Sequence, residues 1–272
     1  MDELSRIREA CAYIRSICAL PFEIGVVLGS GLGGFTDHVV VDKVIPYGDI
    51  PNFPVSTVEG HDGKLILGKI GTKNVIVMAG RFHYYEGYSP VEVVFPIRVL
   101  RLLGVKDLLL SNAAGGVNPS FKVGDLMVIR DHISFGIVNP LLGKNLDDLG
   151  PRFPDMSEPY ATDHIRLGKA IAAELGIDLK QGVYYGVTGP TFETRAEYKL
   201  IYNLGADAVG MSTVQEVIAA VHCGMKVFAI SVITDLGIRD EENIITHQEV
   251  LDAANAAAPK LTAVFKNLIE KL

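Results

Sequence analysis

Three short stretches carry side chains suited to holding an anion or a heterocycle. The first, Gly29-Ser30-Gly31-Leu32-Gly33-Gly34, directly follows the apolar run Ile24-Gly25-Val26-Val27-Leu28. Glycines let backbone N–H groups approach an anion closely, and the Ser30 hydroxyl adds a donor, so phosphate is a natural ligand. The stretch also fits the G-x-G-x-x-G dinucleotide pattern, which requires a helix next and an acidic residue roughly 20 positions on. The chain instead continues as Val39-Val40-Val41-Asp42-Lys43-Val44-Ile45, which is strand-like. A turn without ligand stays open as a third reading. In Gly80-Arg81-Phe82-His83-Tyr84-Tyr85-Glu86-Gly87, Arg81 can grip phosphate oxygens bidentately and His83 can carry a proton near neutral pH. The structural alternative pairs Arg81 with Glu86. In Gly189-Pro190-Thr191-Phe192-Glu193-Thr194, Glu193 either binds a ligand or only favours a helix N-terminus electrostatically. Met211 has a core-filling alternative, and His132 and His222 are expected in the core.

Other chemistries lack their signatures. The sequence has no Gly-x-Ser-x-Gly elbow, no His-Glu-x-x-His and no Walker lysine loop. Its seven histidines are scattered without metal-ligand spacing, so no metal site is expected.

The elements that position these stretches follow from periodicity. Leu4, Ile7, Cys11, Ile14 and Cys18 recur at helical spacing, predicting a helix over 3–19 that Pro21 ends. Two apolar runs, 65–70 and 74–79, flank Gly71-Thr72-Lys73 as a hairpin, and 89–103 reads as a helix with a kink at Pro96. In the second half, strand-like runs at 108–110, 126–129, 183–187, 206–209 and 227–233 are separated in part by helical patterns at 162–175, 193–204 and 213–223. Thr246 and Glu249 form a capping box for a last helix with a kink expected at Pro259. This alternation predicts an α/β fold, a largely buried mixed sheet flanked by helices on both faces. Ligands bind such sheets beyond the carboxyl ends of strands, where the glycine-rich and polar segments fall here.

Composition narrows the partners. The 272 residues carry a net charge of −7 with no cluster of basic residues, which argues against nucleic acid. No linker divides the chain, so 1–272 reads as one domain, and Asp240-Glu241-Glu242 reads as a solvated loop. Cys11 and Cys18 stand roughly 10 Å apart along a helix, too far for a disulfide. Three cysteines without CxxC spacing suit a reducing compartment. No secretory signal or membrane-length apolar run is visible, so a cytoplasmic protein without membrane contact is expected. The positive mean hydropathy suggests buried subunit contacts.

Taken together, the ordered segments resemble the trimeric purine nucleoside phosphorylase family, whose other branch cleaves 5′-methylthioadenosine. The matching stretches are Val27–Gly33, Gly80–Gly87, Ser111-Asn112-Ala113-Ala114-Gly115-Gly116, Gly189–Thr194 and Ala208-Val209-Gly210-Met211-Ser212-Thr213. The resemblance implies a pentosyltransferase that converts a purine nucleoside and phosphate into free base and (deoxy)ribose 1-phosphate, without metal or organic cofactor. It implies phosphate contacts from Ser30, His61, Arg81, His83, the Ala113 backbone and Ser212. The ribose would rest on Met211, with Tyr85 and His247 at its hydroxyls. The purine would lie near Gly115, Phe192 and Tyr184, anchored by Glu193 and by the side chain at 235. Phe153 would complete the site of a neighbouring subunit in a homotrimer. His83, Glu193, Asp235 and His247 are the implied catalytic set.

One residue departs from the pattern. Family members specific for 6-oxopurines carry asparagine where Asp235 stands, whereas the methylthioadenosine branch carries aspartate but lacks the counterparts of Glu193 and His247. Glu193 and His247 thus favour inosine or guanosine, and Asp235 a 6-amino group; adenosine or methylthioadenosine phosphorolysis is the alternative. From other classes, an NAD-dependent oxidoreductase and a non-catalytic nucleoside-binding protein are the rivals.

Overall fold

The computed structural model describes residues 1–57, 62–238 and 245–272. The described residues form nine strands and six α-helices. Asp2 caps α1 (Glu3–Ile17) by accepting from the Ser5 N–H at 2.8 Å, and Ile7, Ala10, Cys11 and Ile14 make its buried stripe. The hairpin is β3 (Lys64–Ile70) with β4 (Lys73–Ala79), antiparallel throughout. Ser89 and Glu92 form a capping box at α2 (Pro90–Leu103), and Gly104 closes it in the left-handed conformation. The helix runs on through Pro96, as the last helix, α6 (His247–Lys271), runs on through Pro259. Thr246 caps α6 with the expected partner, Glu249.

The sheet has two parts joined at one long strand, β5 (Asp107–Gly116). On one side lie β1 (Ile24–Val27), β4, β3 and the edge strand β2 (Val40–Pro46). On the other, β5 pairs with β8 (Ala208–Gly210), then β7 (Leu179–Val187), β6 (Leu126–Gly136) and β9 (Lys226–Leu236), and β9 returns to β5. Those five strands therefore close on themselves, which removes two sheet edges. Nine consecutive residues of β9 are buried, and successive side chains point to opposite faces, so both faces are covered. The covering helices form two groups, α1–α2–α5 and α3–α6, with α3 at Thr162–Glu174 and α5 at Val214–His222.

Four strands, β1, β4, β5 and β9, run parallel to one another. Their carboxyl ends deliver Gly29-Ser30, Gly80-Arg81, Asn112–Gly115 and Thr234-Asp235 to one rim, as the topology rule requires. The Gly29 loop opens a 3₁₀ turn (Gly33–His38) followed by β2, not the α-helix a dinucleotide site needs. The three cysteines are buried and free, and His222 is buried in the core, whereas His132 is half-buried. The acidic run at 240–242 lies outside the described residues.

Candidate active site

At that rim is a cavity of about 380 Å³. It is lined by Ser30, Arg81, His83, Tyr85, Ala113, Gly115, Phe192, Glu193, Met211, Ser212, Asp235 and His247, which come from every matched stretch, from the end of β9 and from the start of α6. Along β5, Gly115 stands three positions past Asn112, about 10 Å of strand. The cavity divides chemically over that distance, with cationic and hydroxyl donors around Asn112 and carboxylates around Gly115.

At the first end, Arg81 is 1% exposed. Its Nε and Nη2 donate to the two carboxylate oxygens of Glu216 at 3.1 and 3.0 Å, and Nη1 donates to the Ser111 carbonyl. Glu216, on α5 and 3% exposed, is therefore Arg81's ionic partner; Glu86, the structural alternative, is not. The reason is geometric: β4 buries Arg81 at its carboxyl end, where α5 comes in from the opposite side of β5. Gly29 is required in the same place, because a Cβ there would stand 2.8 Å from both the Ser111 carbonyl oxygen and the Asn112 Cα.

Glu86 holds His83 instead. Its Oε1 accepts from the His83 backbone N–H at 2.8 Å and lies 2.9 Å from Nδ1, while Thr57 donates twice to Oε2. Burial pushes the Glu86 carboxyl up, but these hydrogen bonds from His83 and Thr57 outweigh it and hold the pKa at about 2. Glu86 is thus ionised and fixes the His83 proton on Nδ1, making Nε2 the unprotonated nitrogen. Burial lowers the His83 pKa, against the opposing pull of Glu86, so the ring is neutral at physiological pH. Tyr85 stacks on it with ring centroids 4.6 Å apart.

Ser212 is placed by a strained neighbour. Thr213 has φ of 71°, costly for a β-branched residue, and is held there by Asn112 Nδ2 donating to its hydroxyl at 2.8 Å. The Ser212 hydroxyl lies 3.1 Å from that of Thr213, and α5 begins at the next residue. Ser212 thus sits at a helix N-terminus, where developing negative charge is favoured.

At the second end, a bulge decides the geometry. Ala114 pairs with Ile233 and Gly115 with Asp235, leaving Thr234 as an extra residue in β9. Both Thr234 and Asp235 consequently line the cavity, which an unbroken strand would not allow. The Thr234 hydroxyl donates to Asp235 Oδ1 at 3.1 Å, and Asp235 is 7% exposed. Burial raises the Glu193 pKa, with the charge of Asp235 adding to it. Between Glu193 and the start of α4 (Arg195–Asn203) lies only the cap residue Thr194, which accepts from the Glu197 N–H.

These observations separate the candidate residues. Tyr184 lies behind the wall: it is fully buried, and its hydroxyl is in contact with Gly210 and 3.5 Å from the Ser212 N–H, which keeps its ring out of the cavity. Phe153 is 87% exposed and lies in a separate concavity with Arg152, Leu142 and Met156. His61 lies outside the described residues. Three lining or supporting residues had not been singled out: Glu216, Asn112 and Tyr198. Glu216 had a signal, the one charge inside the mostly apolar Val214–Val221 helical run. Among the described residues no cluster of three metal-ligating side chains occurs, and no helix is long and apolar enough to cross a membrane.

The sequence profile described as the phosphorylase superfamily matches residues 23–270. The chain belongs to this family. Within it, the similar proteins are purine nucleoside phosphorylases. Purine nucleoside phosphorylase 1 of Bacillus subtilis is 48% identical over 267 residues, covering 98% of this chain and 97% of that protein. Isoform 2 of purine nucleoside phosphorylase from Schistosoma mansoni, solved with cytosine and ribose-1-phosphate, superposes with a TM-score of 0.94 at 45% identity, covering 98% and 96% of the two chains. A Schistosoma mansoni purine nucleoside phosphorylase in complex with adenosine gives a TM-score of 0.94 at 43% identity, covering 99% and 98%. The chain is thus a phosphorylase of the purine nucleoside branch, a pentosyltransferase, and nicotinamide chemistry drops out.

Proposed function

We propose that this enzyme performs the reversible phosphorolysis of inosine and guanosine, ribo- and 2′-deoxyribo-, and that it also accepts adenosine less well. The observation that carries the reading is the two-ended cavity, with Arg81, His83, Ser30 and Ser212 about 10 Å of strand from Glu193 and Asp235. Phosphate, met also by the Ala113 backbone, lies at the first end, beneath the anomeric carbon. The ribose rests on Met211 between Tyr85 and His247, and the base lies against Phe192 and Gly115.

As the C1′–N9 bond breaks, positive charge grows on the sugar and negative charge on the purine. The phosphate dianion stabilises the first, and Arg81, already oriented by Glu216, keeps it in place without reorganising. Neutral His83 accepts a hydrogen bond, or a proton, from monoanionic phosphate through Nε2. Glu193 accepts from N1–H of a 6-oxopurine, and protonated Asp235 donates to N7, stabilising the departing base. A phosphate oxygen then bonds to C1′ with inversion, and the electron pair of the broken bond leaves on N9. No metal or organic cofactor is needed for these steps.

We further propose a cytoplasmic homotrimer in which Phe153 of one subunit closes the cavity of the next. Its 87% exposure in an isolated chain supports this, since a large aromatic so placed loses water on assembly. The test of the main reading is release of base from inosine, guanosine, adenosine, xanthosine and methylthioadenosine, with and without phosphate. Cleavage of inosine that continues at the same rate without phosphate would make the enzyme a hydrolase and end the proposal.

A further inference from the structure

Thr213 is 1% exposed and stands outside the cavity lining, between Asn112 and Ser212, which both belong to it. Its φ of 71° and ψ of −52°, with the Val214 N–H donating to the Ser212 carbonyl at 2.7 Å, make the rare, strained γ-turn of positive φ. A β-branched side chain is poorly suited to that conformation, which glycine adopts freely. The turn nevertheless carries a threonine whose hydroxyl is engaged on two sides. Asn112 Nδ2 donates to its Oγ1 at 2.8 Å, and Ser212 Oγ lies 3.1 Å away. Tyr184 flanks Ser212 as well, but through the main chain: its hydroxyl accepts from the Ser212 N–H at 3.5 Å. Backbone strain kept beside a binding site points to a role for the residue that bears it.

We propose that Thr213 is a positioning residue for phosphate, setting the direction of a hydrogen-bond chain from Asn112 through Thr213 to Ser212 so that the Ser212 hydroxyl offers its hydrogen to the anion. The inference rests on the phosphorolysis reading above. An amide nitrogen has no lone pair to offer, so Asn112 Nδ2 acts on Thr213 as a donor alone. The Thr213 oxygen is then the acceptor, and its own hydrogen is directed at the Ser212 oxygen 3.1 Å away. A hydroxyl that accepts from one neighbour keeps its single hydrogen for another, and the open direction for Ser212 is the cavity it lines. The opposite order would turn the Ser212 hydrogen toward Thr213 and present oxygen lone pairs to an anion, which repel it. Because the chain is complete before phosphate arrives, binding freezes no hydroxyl rotor at this position. No proton changes hands, so the effect falls on phosphate affinity and not on the bond-breaking step.

The test is a double-mutant cycle on Thr213 and Ser212, read by calorimetry with inorganic phosphate and by kcat and KM for phosphate and inosine. Thr213→Val removes the hydroxyl and keeps the branched shape, whereas Thr213→Ala removes it and eases the turn, so a folding defect in one leaves the other to decide. Each should weaken phosphate affinity and raise the phosphate KM about three- to tenfold, the range for one neutral hydrogen bond, with inosine KM and kcat at saturating phosphate within about twofold of native. Thr213→Ser keeps the hydroxyl and should bind phosphate within about twofold of native. In a Ser212→Ala background the same substitutions should change phosphate affinity by less than about twofold, because no Ser212 hydrogen is left to direct. A loss in that background as large as in the native one gives Thr213 a packing role alone and overturns the inference. So does a Thr213→Ser variant as weak as the other two. Phosphate bound as tightly by Thr213→Val and Thr213→Ala as by the native enzyme also overturns it, since that is what the opposite order of donors predicts. A native enzyme that binds phosphate but cleaves no purine nucleoside with it would instead sink phosphorolysis, while the affinity cycle still decides Thr213.

Discussion

The buried Arg81–Glu216 pair ties stability to phosphate binding, and Glu216→Leu separates the two. In the native protein the guanidinium is 1% exposed and the carboxylate 3% exposed, with two parallel hydrogen bonds of 3.1 and 3.0 Å. Removing one partner of such a pair leaves an uncompensated buried charge, which costs about 3–5 kcal/mol. Arg81 keeps the Ser111 carbonyl, so the lower end, about 3 kcal/mol, is expected. At about 2–4 °C per kcal/mol for a domain of this order, Tm should fall by about 6–12 °C. The double variant Arg81→Met/Glu216→Leu has no buried charge left over and should recover much of the loss. Phosphate should do the same for Glu216→Leu alone, because an anion bound at Arg81 replaces the missing charge, and a ligand at 100 times its Kd adds about 2.7 kcal/mol.

The assay is thermal and urea unfolding at one fixed protein concentration, with and without phosphate, for native, single and double variants. In activity, Glu216→Leu should raise the KM for phosphate more than that for nucleoside, since Arg81 loses its orientation while the base end is untouched. A Tm change under about 2 °C for the single variant, or a double variant as unstable as the sum of both singles, would refute the reasoning.

Other outcomes follow from the same geometry. Arg81→Ala should weaken phosphate affinity with little effect on binding of free base, measured by phosphate titration against calorimetry with hypoxanthine. The Glu86 pKa is depressed to about 2, so its stabilising effect is complete above the unfolded carboxylate range near 4.5 and is lost as pH falls toward 2; Glu86→Gln should flatten acid unfolding in that window. Phe153→Ala should raise the nucleoside KM, and light scattering should find a trimer; a fully active monomer would refute the shared site. Asp235→Asn should improve inosine turnover above neutral pH and suppress adenosine cleavage, because an amide donates to N7 at any pH but cannot take the ionised role; an unchanged ratio of kcat/KM values would remove Asp235 from the base.

The legible part of the fold was the part set by local physics. The capping box Thr246–Glu249, the hairpin at Gly71 and the helix begun by Asp2 each depend on a few neighbouring residues, and each forms where periodicity puts it. Strand lengths were less legible. β5 and β9 continue past their apolar runs into polar residues because parallel pairing with each other, not apolar content, satisfies their backbones. The closure of β9 onto β5 left no local trace, since register between distant strands is a tertiary property. The site followed the same division. Segments with glycine signatures reached the cavity as a set, whereas Tyr184, implied by the resemblance, fell behind the wall. Tyr198 carried no glycine signature of its own; its space is supplied by Gly237, just past the end of β9.

The bulge at Thr234 joins these threads. In an unbroken β9 the side chain after Ile233 would take one face and the next would take the other, so a single residue would reach the base. Inserting Thr234 turns two consecutive polar residues into one wall, with the Thr234 hydroxyl donating to Asp235 Oδ1. That hydrogen bond occupies one carboxylate oxygen, and Gly115 lets the other stand 3.0 Å from where its Cβ would be. A β5 side chain at 115 would therefore crowd Asp235 Oδ2, and the close approach of these two strands is what brings an acid to the purine at all. The pocket's chemistry at this end depends less on any one carboxylate than on backbone geometry that crowds Glu193, Tyr198 and Asp235 together. Substituting Gly237 with Ala, which leaves all three in the sequence but displaces the Tyr198 ring, should accordingly shift base preference while leaving the KM for phosphate unchanged. Equal losses for inosine and adenosine in that variant would show that Gly237 serves only packing.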